Sequence, residues 1–136
     1  MPAREEALYG FFKTTCPTSE LTWPYLDRIG RIGPTGLRVY AVSQDGREET
    51  AEFHRRLEVE LETLYDPPPW KASAALGLTN VPTLFRVGPD GRILETIVGF
   101  QRPRLEALAR RAAKLAGRTA PRLFRIGDHI PLIVPG

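Results

Sequence analysis

The sequence predicts an α/β domain: a four-stranded mixed sheet flanked by helices on both faces, with an inserted helical segment and a C-terminal tail. Three observations carry that expectation. The apolar run Leu8–Phe12 passes through a helical pattern into a second apolar run, Leu37–Val42. That order is a βαβ unit, with parallel pairing and a right-handed crossover. Asp90-Gly91 separates two strand-like runs, Thr83–Val87 and Ile93–Val98, as in a hairpin. The stretch Pro103–Ala116 gathers Leu105, Leu108, Ala109, Ala112, Leu115 and Ala116 on one helical face.

Each element follows from local chemistry. Leu8-Tyr9-Gly10-Phe11-Phe12 is a buried strand, closed by the polar residues Lys13-Thr14-Thr15. Cys16-Pro17 then opens a helix, because proline has no N–H to lose at the first helical position and its φ is already helical. Leu21, Tyr25, Leu26 and Ile29 recur at helical spacing, and Pro24 is expected to kink this helix without ending it. Gly30, Gly33, Pro34 and Gly36 mark a loop before Leu37–Val42, and Ser43-Gln44-Asp45-Gly46 punctuates that strand's end. A second helix is expected over Arg47–Leu64, with Phe53, Leu57, Leu61 and Leu64 on its inner face, until Pro67-Pro68-Pro69 stops it. A short helix over Trp70–Leu76 leads through Gly77 to Val81-Pro82. The expected strand order is second, first, third, fourth.

Residues 1–118 form the expected domain and 119–136 an extension. Ile126, Ile130, Leu132 and Ile133 make that tail too apolar for a disordered end. It is expected to dock on the domain, or on a second copy in a homodimer, and Pro131 and Pro135 bar it from a central strand.

At 136 residues, 42% hydrophobic and 26% charged, the chain is long enough to bury a core without staples. One cysteine excludes an internal disulfide and favours a reducing compartment. Met1–Glu6 reads as no signal peptide, and no apolar run approaches a membrane span. The expectation is a cytoplasmic protein without a membrane partner. The basic C-terminal part, from Arg102 to Arg125, reads as a solvated helix face and not as a nucleic-acid site. His54 and His129 have no cysteine, histidine or carboxylate at ligand spacing, so neither metal nor cofactor is expected. His54 is expected to be exposed, Trp23 to pack inside, and Trp70 to lie near the rim of a site.

Cys16 is the candidate nucleophile. At the mouth of a helix, the dipole and the free backbone N–H groups favour thiolate over thiol.

Cys16-Pro17-Thr18-Ser19 resembles the Cys-x-x-Cys motif of the thioredoxin-like superfamily with the second cysteine replaced by serine. Pro24 matches the kinking proline of the family's active-site helix. Asn80-Val81-Pro82-Thr83 resembles its cis-proline loop, which faces the nucleophile. The resemblance runs from Ala7 to Ala116, and the long segment between the second and third strands is similar to that of the redoxin branch. It implies a thioredoxin-like fold with Cys16 and Ser19 as the catalytic pair. It also implies a substrate platform of Thr15, Pro17, Val81 and Pro82, where the Val81 backbone pairs with an extended substrate. Ser19 reads as a natural monothiol variant, an engineered replacement, or a first-turn residue without a chemical role; its hydroxyl is also placed to donate to the thiolate. A serine cannot attack a mixed disulfide, so turnover needs a thiol from outside.

Three functions compete. The first is a monothiol thiol–disulfide oxidoreductase acting on protein or low-molecular-weight thiols and disulfides. The second is a redox-inactive thioredoxin-like scaffold that binds a protein partner. The third is a one-cysteine peroxidase. Peroxiredoxins carry proline and threonine seven and three residues before their cysteine; this chain has Tyr9 and Lys13 there, which counts against it.

Overall fold

Glu6–Phe12 (β1) is the middle strand of a five-stranded sheet that also holds Leu37–Ser43 (β2), Glu62–Tyr65 (β3), Thr83–Val87 (β4) and Ile93–Val98 (β5), in the order β3-β2-β1-β4-β5. The computed structural model describes residues 5–33, 35–125 and 130–136. The sequence readings at 1–4, Pro34, Ile126 and His129 lie outside them. β1 pairs parallel with β2 and antiparallel with β4.

Alternation along β1 sorts the two faces of the sheet. Leu8 and Phe12 are fully buried among Trp23, Leu26, Leu84 and Phe53. Gly10 lies between them, where an added Cβ would come within 2.9 Å of Leu26 and 3.1 Å of Trp23. Tyr9 and Phe11 point to the other face, beside Val42 and Phe85. Pro17–Ile32 (α1), Arg47–Leu57 (α2) and Arg102–Leu115 (α4) supply the cover of the first face. Among the described residues, the second face has only the short helix Lys71–Ala75 (α3) and Leu78 as cover. Helices thus lie on both faces, but unequally.

The four expected strands stand in the expected order, and the structure adds a fifth. Leu57, Leu61 and Leu64 keep helical spacing, yet the second helix ends at Leu57. Glu58 takes a left-handed φ of 57°, its N–H and that of Val59 close on the carbonyls of Arg55 and His54, and Val59 turns into the core. The chain then runs extended along the free edge of β2 as β3. Leu64 therefore sits on an edge strand, 44% exposed, and not on a helix's inner face.

His54 is also corrected: it is buried, and its Nε2 accepts the indole N–H of Trp23 at 3.2 Å. The basic C-terminal helix is tied to the sheet, not simply solvated. Buried Glu6 takes Arg86 at 3.0 Å and Arg111 at 2.5 Å, while Glu95 takes Arg86 at 3.1 Å and Arg104 at 2.8 Å. Burial alone would raise the Glu6 carboxyl, but the hydrogen bonds from Arg111 and Arg86 outweigh it and hold it below its ordinary value.

Two described parts of the tail pack against the preceding chain. Leu123 and Phe124 enter the core, the Phe124 ring 4.4 Å from that of Tyr25. Ile133–Val134 (β7) pairs antiparallel with Phe100–Gln101 (β6). Gly99 permits this approach: its φ is +76°, and a Cβ there would lie 2.6 Å from the Val134 carbonyl oxygen.

Two outcomes are expected. Phe124→Ala should cost about 3–5 kcal/mol by denaturant unfolding, as for other buried phenylalanines; a cost within about 0.5 kcal/mol, the scale of a neutral surface change, would show that the tail adds nothing to the core. The second concerns pH. Burial lowers the His54 imidazole below its ordinary 6.5, offset in part by the Asp27 charge. The unfolded chain then binds the proton first, so this contribution is full above pH 6.5 and declines as the pH falls toward the folded value. Thermal melts from about pH 7.5 to about pH 5 should show that decline, with a shallower slope in His54→Gln.

Candidate functional site

The site is built where β1 hands over to α1. Cys16 is extended, with φ −94° and ψ 117°, and caps the helix that begins at Pro17. Its Sγ accepts the backbone N–H of Ser19 at 3.4 Å, one of the donors a helix start leaves without an intrahelical partner. Cys16 is half-buried, whereas Thr15 and Pro17 are exposed beside it.

The loop leading into Cys16 is pinned from across the sheet. Asp45 Oδ2 accepts both the Thr14 N–H at 2.7 Å and the Thr14 hydroxyl at 3.0 Å. The Cys16 N–H closes on the Lys13 carbonyl at 3.2 Å. Asp45 is a site residue that sequence reading treats only as turn punctuation; the Asp-Gly pair at the end of β2 is its only signal.

The facing wall is the loop before β4. The Val81–Pro82 peptide is cis, and the Val81 carbonyl oxygen takes the Cys16 S–H at 3.5 Å. Pro82 is buried, and its carbonyl accepts the Gly99 N–H at 2.8 Å. The Thr83 hydroxyl donates to the Asn80 carbonyl at 2.6 Å, which fixes the loop's other side. The structure thus brings Cys16 and Val81 into contact, with Pro82 next in the chain.

Ser19 is fully buried. Its hydroxyl has no hydrogen-bond partner among the described residues, so only its backbone N–H serves the sulfur. The tail closes one flank: the Thr18 hydroxyl donates to the Pro135 carbonyl at 3.0 Å, and Asn80 Nδ2 donates to the Gly136 carbonyl at 3.2 Å. Trp70 stands at the rim, 38% exposed, with its indole N–H on the Gln44 carbonyl at 3.1 Å. Among the described residues no group of His, Cys, Asp or Glu has the geometry to hold a metal ion, and no helix is long and apolar enough to cross a membrane.

The arrangement of strands and helices that carries this site is shared with known structures. A Chlorobium tepidum chain assigned as the thiol:disulfide interchange protein DsbE matches at TM-score 0.72, 21% identical, over 85% of this chain and 83% of its own. Mycobacterium tuberculosis DsbF matches at 0.69, 22% identical, over 82% and 81%. The exposed lipoprotein thioredoxin Etrx1 of Streptococcus pneumoniae matches at 0.65, 19% identical, over 78% and 84%. The chain has the thioredoxin-like fold. At these identities the likeness is one of fold. No family model matches the chain, and no curated protein matches it by sequence.

Within the thioredoxin-like fold the sulfur holds a position suited to nucleophilic attack on a disulfide. It is half-buried, it accepts the Ser19 N–H at the start of α1, and its S–H lies on the Val81 carbonyl, which Gly136 approaches so closely that a Cβ there would come within 2.8 Å of that oxygen. The chain offers no second thiol to attack what forms there.

Asp45→Ala should cost about 1.5–3 kcal/mol by urea unfolding, the range for hydrogen bonds to a charged acceptor. The same variant should change the alkylation rate of Cys16, while Asp45→Asn, which keeps one acceptor oxygen, should fall between. Wild-type values for both measurements would remove Asp45 from the site.

Proposed function

We propose that the chain is a monothiol thiol–disulfide oxidoreductase with Cys16 as nucleophile. The observation that carries this reading is the pair of contacts at Cys16 Sγ, the Ser19 N–H on one side and the Val81 carbonyl on the other. The thiolate attacks one sulfur of a disulfide along the S–S axis. A mixed disulfide forms on Cys16 and the other sulfur leaves as thiolate, taking the electron pair of the broken bond. Ser19 cannot resolve that species, since its hydroxyl is a poor nucleophile and is fully buried. An external thiol then attacks the mixed disulfide and frees Cys16. Dependence on an outside thiol favours a reducing compartment such as the cytoplasm. On this reading the disulfide reaches the sulfur past Val81, on whose flank Gly136 packs, with exposed Thr15 and Pro17 as the near rim.

The test is intact-mass analysis after incubation with a small symmetric disulfide. One half-disulfide should add to the wild type, none to Cys16→Ser, and an added thiol should remove it. Ser19→Cys should instead close an internal disulfide, since the positions are three apart at a helix start. A wild-type protein that takes no adduct while still folded would leave the redox-inactive scaffold and the one-cysteine peroxidase, which peroxide consumption separates.

A further inference from the structure

Residues Leu132–Gly136 have no part in the chemistry above, yet they lie across the mouth of the site. Two consecutive carbonyls of this segment tie its two walls together. The Pro135 carbonyl takes the hydroxyl of Thr18, two residues beyond Cys16 on α1, at 3.0 Å. The Gly136 carbonyl takes Asn80 Nδ2, one residue before Val81 on the facing loop, at 3.2 Å. Gly136 also sits so close to that loop that a Cβ on it would meet the Val81 carbonyl oxygen at 2.8 Å and the Asn80 side chain at 3.3 Å. That oxygen is the one on which the Cys16 S–H rests.

The segment arrives there in strand register. Ile133 and Val134 pair with Gln101 and Phe100, and the Leu132 carbonyl takes the Arg102 N–H at 2.9 Å. Gly99 gives it room, since a Cβ there would also lie 2.8 Å from the Gly136 nitrogen. Neighbouring strands need about 4.8 Å between them, so one flank of the Val81 backbone takes one extended chain at a time. The hold is light. Leu132 and Ile133 are 62% and 61% exposed, Val134 is half-buried, and the pairing is two residues long. Leu123 and Phe124, which enter the core, belong to a separate part of the tail.

We infer that Leu132–Gly136 is a strap that sets the substrate class of the site. It fills the place of an extended chain beside Val81, so small disulfides reach Cys16, and disulfides carried on extended polypeptides do not until the strap lifts. The inference rests on the oxidoreductase reading and leaves its chemistry unchanged. The Cys16 thiolate bonds to one ligand sulfur as the ligand's S–S bond breaks, and the other sulfur leaves with the electron pair and takes a proton from water. Thr18 and Asn80 are positioning residues, acting through the strap and not on the sulfur.

The experiment measures, by intact mass, the rate of adduct formation on Cys16 with two neutral reagents. One is hydroxyethyl disulfide. The other is the disulfide-linked dimer of a Ser/Thr/Gly peptide with one central cysteine, about nine residues long so that at about 3.3 Å per residue it spans the Val81 edge. Each rate is divided by that of the same reagent with free cysteine, which removes intrinsic reactivity. Deleting Leu132–Gly136 should speed the peptide reagent by roughly five- to tenfold and the small one by less than about twofold, the scale of two lost side-chain hydrogen bonds. Thr18→Val combined with Asn80→Ala keeps the strap and cuts its two ties, and should speed the peptide reagent by roughly two- to fivefold. Thermal melts establish that each variant is folded, and the double variant decides even where the shortened chain does not fold. Equal changes for both reagents, or none, would overturn the strap and leave the oxidoreductase reading intact. No adduct with either reagent on any folded form would sink that reading and the strap with it.

Discussion

The extended backbone of Cys16 is the constraint from which the rest of the site follows. Because Cys16 is not itself helical, its side chain can reach forward to the Ser19 N–H and occupy the place that a serine or aspartate fills at other helix starts. Because Pro17 follows, no donor is wasted at the first helical position. What fixes the place of this handover is the strand behind it. Phe12, the last residue of β1, is clamped by Trp23 and Phe53, with ring centroids at 4.4 and 5.3 Å. The few residues between Phe12 and Cys16 therefore have little freedom, and Asp45 removes most of what remains.

The charges of the chain are organised around the sheet more than around the sulfur. Glu6 at the start of β1 and Glu95 on β5 share Arg86, and each holds one arginine of α4. This network joins β1, β4 and β5 to the last helix. Neither carboxylate would be tolerated there alone, since burial favours its neutral form; the arginines reverse that balance. The basic run of the C-terminal part thus serves the fold from within: Arg102 lies over the Phe124 ring, and Arg118 donates to the Ile32 carbonyl at the end of α1.

The sheet is readable from the sequence because its strands carry local signals: an apolar run in β1 and β2, and an Asp-Gly turn between β4 and β5. The start of α1 is readable for the same reason, since proline and a preceding polar run mark it without reference to anything distant. Readings fail where a distant partner decides. Leu57, Leu61 and Leu64 repeat like a helix, but the helix ends at Leu57 and the open edge of β2 draws Leu64 into β3. His54 looks like a surface residue until Trp23, on another helix, supplies the N–H that lets it be buried. Asp45 reads as a turn because its partner, Thr14, is 31 residues away. Trp70 reads as a rim residue, yet nothing in its neighbours signals a left-handed backbone held by Gln44.

The segment from Asp66 to Val81 joins these themes, because it performs two tasks with one set of contacts. Toward the sheet, Ala72, Leu76 and Leu78 lie over Tyr9, Phe11 and Phe85 and give the second face what cover it has. Toward the site, Val81 touches Cys16, and Trp70 and Asn80 line the cavity that Val81 also borders. Between the two run the hydrogen bonds from the Ser73 hydroxyl to Asp66, from Gln44 to Ser73, and from the Trp70 indole to the Gln44 carbonyl. Asp66 stays charged there because the Ser73 hydroxyl and the Ala72 and Ser73 N–H groups overcome the effect of its burial. A change that loosened α3 would therefore expose the apolar second face and displace the wall of the site together. The packing of a half-covered sheet and the geometry around the nucleophile are one mechanical problem in this chain, solved by the insertion that separates β3 from β4.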